Sequence, residues 1–199
     1  MRTSKSSSLV DSNQTGNNGS GAIPFIKRND SVKILGDSLA ESLGTLGVIT
    51  KRIYFFPVQF QTQVKISKLR VNVTNSASNS LCSVGIYTNK KSTAGNDTPG
   101  DLMKFVDTLV TNSNGDKTAD ASFIFNKDTV YWVGVLFNGA PTVRALTIAN
   151  LYAHLGRVPN SNNAYTHLYK NLTTYVLPQV APEDLTISTG NIPAVYIVE

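Results

Sequence analysis

Lys68-Leu69-Arg70-Val71-Asn72-Val73-Thr74 alternates polar and apolar residues without a break. On an extended chain Leu69, Val71 and Val73 fall on one side, and Lys68, Arg70, Asn72 and Thr74 on the other. That is the period of a half-buried β-strand. Upstream, Tyr54, Phe56, Val58 and Phe60 alternate with Ile53, Phe55, Pro57 and Gln59, so the first part of this run is apolar on both sides. Pro57 lacks an N–H and suits a sheet edge or a bulge. Downstream, Asn75 to Ser80 is a turn cluster, and Leu81 to Thr88 reads as a strand with Cys82, Val84 and Ile86 on one face. Ala121, Phe123 and Phe125 mark another strand, closed by a tight turn at Asn126-Lys127-Asp128. Tyr131 to Phe137 is apolar on both faces and predicts a central strand; Asn138-Gly139-Ala140-Pro141 then turns into Thr142 to Ile148. Short strands at this spacing predict an all-β fold, an antiparallel sandwich of jelly-roll-like form.

The 199 residues fit one such domain. Ser, Thr and Asn make up about three residues in ten, a composition suited to many turns, because these side chains hydrogen-bond their own backbone there. The single cysteine, Cys82, excludes an intramolecular disulfide and a multi-cysteine metal site. The longest apolar run, Val130 to Phe137, is far short of the roughly 20 residues that span a bilayer. Ser6-Ser7-Ser8 stands where a signal peptide needs apolar residues, so synthesis in a cytoplasm without export is expected. Residues 1–100 carry 12 Lys/Arg against 5 Asp/Glu, whereas residues 101–199 carry 6 against 8. The basic residues come as scattered pairs (Lys27-Arg28, Lys51-Arg52, Lys90-Lys91) with no nucleic-acid-binding signature, and no nucleic-acid partner is expected.

Residues 1–22 contain only Leu9, Val10 and Ala22 as apolar side chains beyond the initiator. Such a stretch buries too little surface to offset its ordering entropy, and residues 1–30 are read as a flexible N-terminal anchoring arm ahead of a single sandwich domain over residues 31–199. Between Asp30 and Val48, Ser38-Leu39-Ala40-Glu41 has capping-box spacing, which predicts one short helix over residues 38–44, ended by Gly44. At the other end, Asn191 to Val198 is an apolar strand that must be covered, by its own sandwich or by a neighbouring copy.

The chemical inventory is thin. His154 and His167 lie thirteen residues apart, without the spacing of a helical zinc pair, and Cys82 sits on an apolar strand face. No nucleophile elbow or phosphate-cradling glycine loop occurs. Asp97 and Asp101 flank Thr98-Pro99-Gly100, where a plain β-turn is the simpler reading and a shared calcium ion the sharper one. The reading is therefore of a non-enzymatic protein with no catalytic residues, no metal site and no cofactor. The candidate contact face is aromatic: Tyr165, His167 and Tyr169 share one side of an extended segment, and Tyr152 and His154 repeat the spacing. Such a face suits core or subunit packing, where Tyr is enriched, and it suits glycan binding.

Lys51-Arg52-Ile53-Tyr54-Phe55-Phe56-Pro57-Val58, the Leu69 to Val73 strand and Val84-Gly85-Ile86-Tyr87 together resemble a β-sandwich module of tailed-phage virion proteins. Thr98-Pro99-Gly100-Asp101-Leu102, Tyr131-Trp132-Val133-Gly134-Val135 and Pro141-Thr142-Val143-Arg144 continue the likeness, which covers about residues 50–150. The resemblance implies a virion structural protein of head-decoration, short-fibre or tail-tip type, located in the virion, usually a homotrimer. Its implied partners are copies of itself, other capsid or tail proteins docked through residues 1–30, and a host-surface glycan where the protein serves attachment. A carbohydrate-binding module with the Tyr/His face as its ligand site is the alternative.

Overall fold

The computed structural model describes residues 32–35, 40–148 and 165–199. Its elements are thirteen strands: β1 (Val32–Ile34), β2 (Ala40–Gly47), β3 (Arg52–Gln59), β4 (Val64–Asn75), β5 (Leu81–Lys91), β6 (Asp97–Val110), β7 (Gly115–Phe125), β8 (Val130–Phe137), β9 (Thr142–Ile148), β10 (His167–Asn171), β11 (Thr186–Ser188), β12 (Ile192–Pro193) and β13 (Val195–Val198). They form two antiparallel sheets, packed as a sandwich. The first runs β1-β13-β4-β9-β12, with β2 added on β9 and β7 on β4. The second runs β11-β10-β3-β8-β5-β6.

The alternation read in Leu69, Val71 and Val73 is the inward face of β4, and all three are buried in the main core with Tyr54, Phe56, Val58, Val84 and Ile86. Pro57 occupies the edge expected of it: β10 pairs with β3 only from Arg52 to Phe55, so the missing N–H of Pro57 leaves no ladder bond unmade on that side. Tyr131 to Phe137 is central, with β3 on one flank and β5 on the other.

A strand buried on both faces needs a cover on each. Ile53, Phe55, Tyr87, Trp132 and Leu136 point away from the main core into a second apolar cluster. Residues 172–185, between β10 and β11, lie across it as an irregular strap and contribute Leu177 and Ala181, with Leu172, Tyr175 and Leu185 at its margin. The strap satisfies its backbone on the outer edge of β6: Leu102 N donates to Gln179 O, and Ala181 N to Gly100 O. Tyr87 Oη donates to Pro178 O at 3.1 Å, and Trp132 Nε1 to Asn89 Oδ1 at 2.8 Å, so the buried polar tips are paired. Ion pairs Lys90–Glu183 and Lys170–Asp184 hold the strap's later part at the surface.

Two expectations are corrected. The segment read as a helix is β2, paired with β9 from Ala40 to Gly47; Ser38 and Leu39 of the apparent capping box lie outside the described residues. A helix of two turns is marginal alone, and the open side of β9 offers a full ladder. Gly44 marks a close approach within that ladder, since a Cβ there would sit 2.7 Å from Thr147 Oγ1. The turn placed at Asp97 to Asp101 lies instead over residues 92–96, where Gly95 takes φ +79°. Asp97 to Asp101 is extended in β6, and Asp97 accepts from Asn89 Nδ2 at 2.6 Å and Lys91 Nζ at 2.9 Å. Of the two covers open to the C-terminal apolar strand, its own sheet is the one observed: β13 lies between β1 and β4.

Trp132 is fully buried between sheet and strap. Trp132→Ala should cost about 3–5 kcal/mol in urea-unfolding experiments, and Trp132 emission in the folded protein should be blue-shifted relative to free indole. Emission matching free indole in water contradicts this packing.

Candidate functional site

The aromatic face predicted around residue 167 is built only in part among the described residues. Tyr152 and His154 lie outside them. Tyr165 precedes β10 and is half-buried, whereas His167 and Tyr169 share a face of β10 with ring centroids 6.1 Å apart. Cross-strand pairing sets Tyr169 opposite Tyr54 of β3, and the His167 ring lies 5.6 Å from that of Tyr54. Arg52 covers the Tyr169 ring at 4.1 Å from its centroid while its Nε donates to Asn171 Oδ1 at 2.8 Å. His167 is only 3% exposed. Its Nδ1 is 2.9 Å from Thr166 Oγ1, a hydroxyl that also reaches the carbonyls of Ser188 and Gly190. Burial, seconded by the Arg52 charge, pulls the His167 pKa down to about 4. The imidazole is thus a neutral packing group at the end of the β10–β11 ladder, where His167 stands opposite Ser188.

A second constellation lies on the opposite face of the same sheet and was not signalled by any motif. In β6 the register with β5 shifts between Val106 and Leu109, so that Asp107 and Thr108 together face Ser83. Bulges of this kind re-aim a side chain. Here Thr108 takes φ +57°, an uncommon conformation for a β-branched residue, and its N–H donates to Asp107 Oδ1 at 2.8 Å. The same oxygen lies 2.6 Å from Ser83 Oγ, which in turn lies 2.7 Å from Tyr175 Oη. An ionised carboxylate only accepts, so the hydrogens run from Tyr175 to Ser83 to Asp107. Burial pushes the Tyr175 phenol up, which keeps it a neutral donor.

Beside this chain an open cleft of about 150 Å³ separates β6 from the strap. Leu102, Phe105 and Asp107 line it from the strand, and Tyr175, Leu177 and Gln179 from the strap, with Val176 on the lip. Gly85, opposite Phe105 in the ladder, lies beneath Leu102 and Tyr87; a Cβ there would come within 2.8 Å of both Leu102 Cδ1 and Tyr87 Cε2. Phe105 is 49% exposed and Val176 66%, and Met103 and Val180 on the same flank are half-exposed as well. Asp107 Oδ2 and the Gln179 side-chain amide have no hydrogen-bond partner among the described residues. The arrangement offers an aromatic surface, one fixed acceptor and one amide that both donates and accepts.

Neither constellation supplies an activated nucleophile. Cys82 is fully buried with its thiol pKa raised by desolvation, and Ser83 is buried beneath Tyr175. Among the described residues no three His, Cys, Asp or Glu side chains are grouped so as to hold a metal ion. No family model and no curated protein matches the chain.

His167 generates a pH prediction. Its folded pKa lies below the ordinary histidine value of 6.5, so the unfolded chain binds the proton first and stability falls as pH drops. The contribution is complete above about pH 6.5 and is lost progressively towards pH 4, with a limit on the order of 3 kcal/mol. Urea unfolding from pH 7 to 4 should show a steeper loss for the wild type than for His167→Gln. Equal slopes for the two proteins contradict the buried neutral imidazole.

Proposed function

We propose that the chain is a non-enzymatic structural protein of a tailed-phage particle, a head-decoration or short-fibre subunit. In this reading residues 1–30 dock on neighbouring virion proteins and the sandwich is displayed, with host-surface attachment as its role. The observation that carries the binding part is the β6–strap flank, where Phe105 and Val176 stand exposed at a cleft with unpaired polar groups and Met103 and Val180 are exposed on the same two elements. Clustered apolar exposure of this sort marks a contact surface rather than a solvated one. The virion part is supported by the resemblance over about residues 50–150, whose quoted segments fall on β3, β4, β5, the start of β6, β8 and β9. These are the strands around which the sandwich is organised.

A free carbohydrate-binding module is the second reading, and the composition of the cleft favours it. The two differ in their use of the arm. Deleting residues 1–22 should leave thermal unfolding of the domain nearly unchanged, because the segment has so few apolar side chains to bury. It should abolish incorporation when the protein is co-produced with the other virion components. Incorporation of the truncated chain at normal occupancy overturns the anchoring role.

Three-fold assembly is part of the proposal and rests on the resemblance, since β13 is covered within its own sheet. Light scattering on the purified chain should give three times the mass of one subunit. A stable monomer at micromolar concentration removes the trimer from the reading.

A further inference from the structure

We propose that the cleft between β6 and the strap is a binding site for a single neutral sugar ring of a glycan. The inference rests on the reading of this flank as a displayed contact surface, and it adds the class of ligand.

The size comes first. Pockets for drug-sized ligands run to roughly 300–1,000 Å³, and this cleft holds about 150 Å³ and is open on one side. It therefore takes one ring, not an extended small molecule. The lining is amphipathic in the manner a pyranose requires. A pyranose presents a patch of C–H groups on one face and hydroxyls around its rim. Phe105, with nearly half its surface exposed, supplies a flat apolar face for the former, bordered by Leu102 and Leu177. Asp107 supplies an acceptor for the latter. Its Oδ1 is fixed by Ser83 and Thr108, which leaves Oδ2 held in place but unused among the described residues. Gln179 supplies a donor and an acceptor on one amide, matching a hydroxyl that both gives and receives hydrogen bonds.

Other occupants fit this lining less well. An apolar side chain leaves Asp107 Oδ2 without a partner, which costs affinity when the cleft is closed over. An anionic sugar meets that carboxylate directly. A guanidinium satisfies Asp107 and stacks on Phe105, but it has no acceptor to offer the Gln179 N–H groups. The preorganisation of Asp107 is the stronger argument. A carboxylate oxygen positioned by a bulge, a serine and a backbone N–H is an acceptor whose ordering is complete before the ligand arrives. A site of one ring gives millimolar affinity by itself. Several copies on one particle convert that into useful avidity when their spacing permits simultaneous engagement.

The test uses the full chain, uniformly labelled with ¹⁵N and ¹³C, titrated with the methyl glycosides of glucose, galactose, mannose and N-acetylglucosamine. Methyl glucuronide and acetyl-arginine-amide serve as charged comparisons. At least one neutral glycoside should move the Gln179 side-chain amide and Phe105 ring resonances, saturating in the millimolar range, and the glucuronide should not. Phe105→Ala should weaken that binding about tenfold, the loss of one aromatic stacking face. Gln179→Ala should weaken it too. Both residues are exposed, and unchanged spectra elsewhere in the molecule establish that the variants fold. The proposal is overturned if no neutral glycoside shifts these resonances, if binding survives both substitutions, or if only the arginine compound binds; the last result assigns the cleft to a basic peptide. None of these outcomes bears on the docking of residues 1–30, which the incorporation experiment decides separately.

Discussion

The strap over the outer face of the β11-β10-β3-β8-β5-β6 sheet is the constraint on which the remaining structure depends. Two of its central strands, β3 and β8, are apolar on both faces, so a sandwich of two sheets leaves Ile53, Phe55, Trp132 and Leu136, together with Tyr87 of β5, facing water. Burying a large apolar side chain is worth about 1.5–3 kcal/mol, and five of them exposed together would make an aggregation surface. Residues 172–185 solve this without regular structure. Their backbone groups find partners on β6 and at the tip of Tyr87. The sheet is thereby held between two apolar layers of unequal thickness.

That third layer dictates details of the sheet beneath it. Tyr87 lies across the ladder positions of Gly85 and Gly134, and a Cβ at Gly134 would come within 2.8 Å of Tyr87 Cε2 and 2.9 Å of Phe55 Cε1. The two glycines face each other across β5 and β8, so together they open a slot into which the ring sinks, edge-on to Phe55 at 5.1 Å between centroids. Here glycine serves space rather than backbone freedom. Sinking the ring lets the Tyr87 hydroxyl reach Pro178 O, and so ties the sheet to the strap through a bond made by the same side chain that fills the slot.

Legibility followed the physics of each signal. Period-2 alternation in β4 and double-sided burial in β3 and β8 are local properties, and they placed the sandwich and its central strand from sequence. The strap was not legible, because Tyr175-Val176-Leu177-Pro178-Gln179-Val180-Ala181-Pro182 has neither helical nor strand period; its apolar residues mean something only beside the sheet they cover. The length of β6 was hidden for a related reason. Its bulges shift the pairing in three places, and each shift resets the alternation that a reader of the sequence relies on. β2 misled in the opposite direction, with a capping pattern and a closing glycine overridden by the ladder that β9 provides. Of the aromatic face, the sharing of one side by His167 and Tyr169 was readable, whereas the burial of the imidazole against Tyr54 depends on pairing between segments far apart in the chain. The Asp107 cleft gave no sequence signal at all, since Ser83, Asp107 and Tyr175 are separated by 24 and 68 residues and meet only through the bulge and the strap.

The cleft and the strap share their fastening. The bond from Tyr175 to Ser83 holds the early part of the strap to the sheet, and the bond from Ser83 to Asp107 holds the cleft's carboxylate. Ser83 is the common member, donating to one partner and accepting from the other, so the orientation of Asp107 and the seating of the strap are coupled through one buried hydroxyl. Removing the Tyr175 hydroxyl frees an acceptor on Ser83 without freeing its hydrogen, and Asp107 keeps its bond. Removing the Ser83 hydroxyl releases both at once and leaves Asp107 with Thr108 as its only fixed donor. The fold thus places its strongest conformational demand, a threonine at positive φ in an edge-strand bulge, where a single carboxylate has to be aimed. Strain of that kind persists only where surrounding contacts over-determine it, and here the hydrogen-bond chain from the strap supplies that determination.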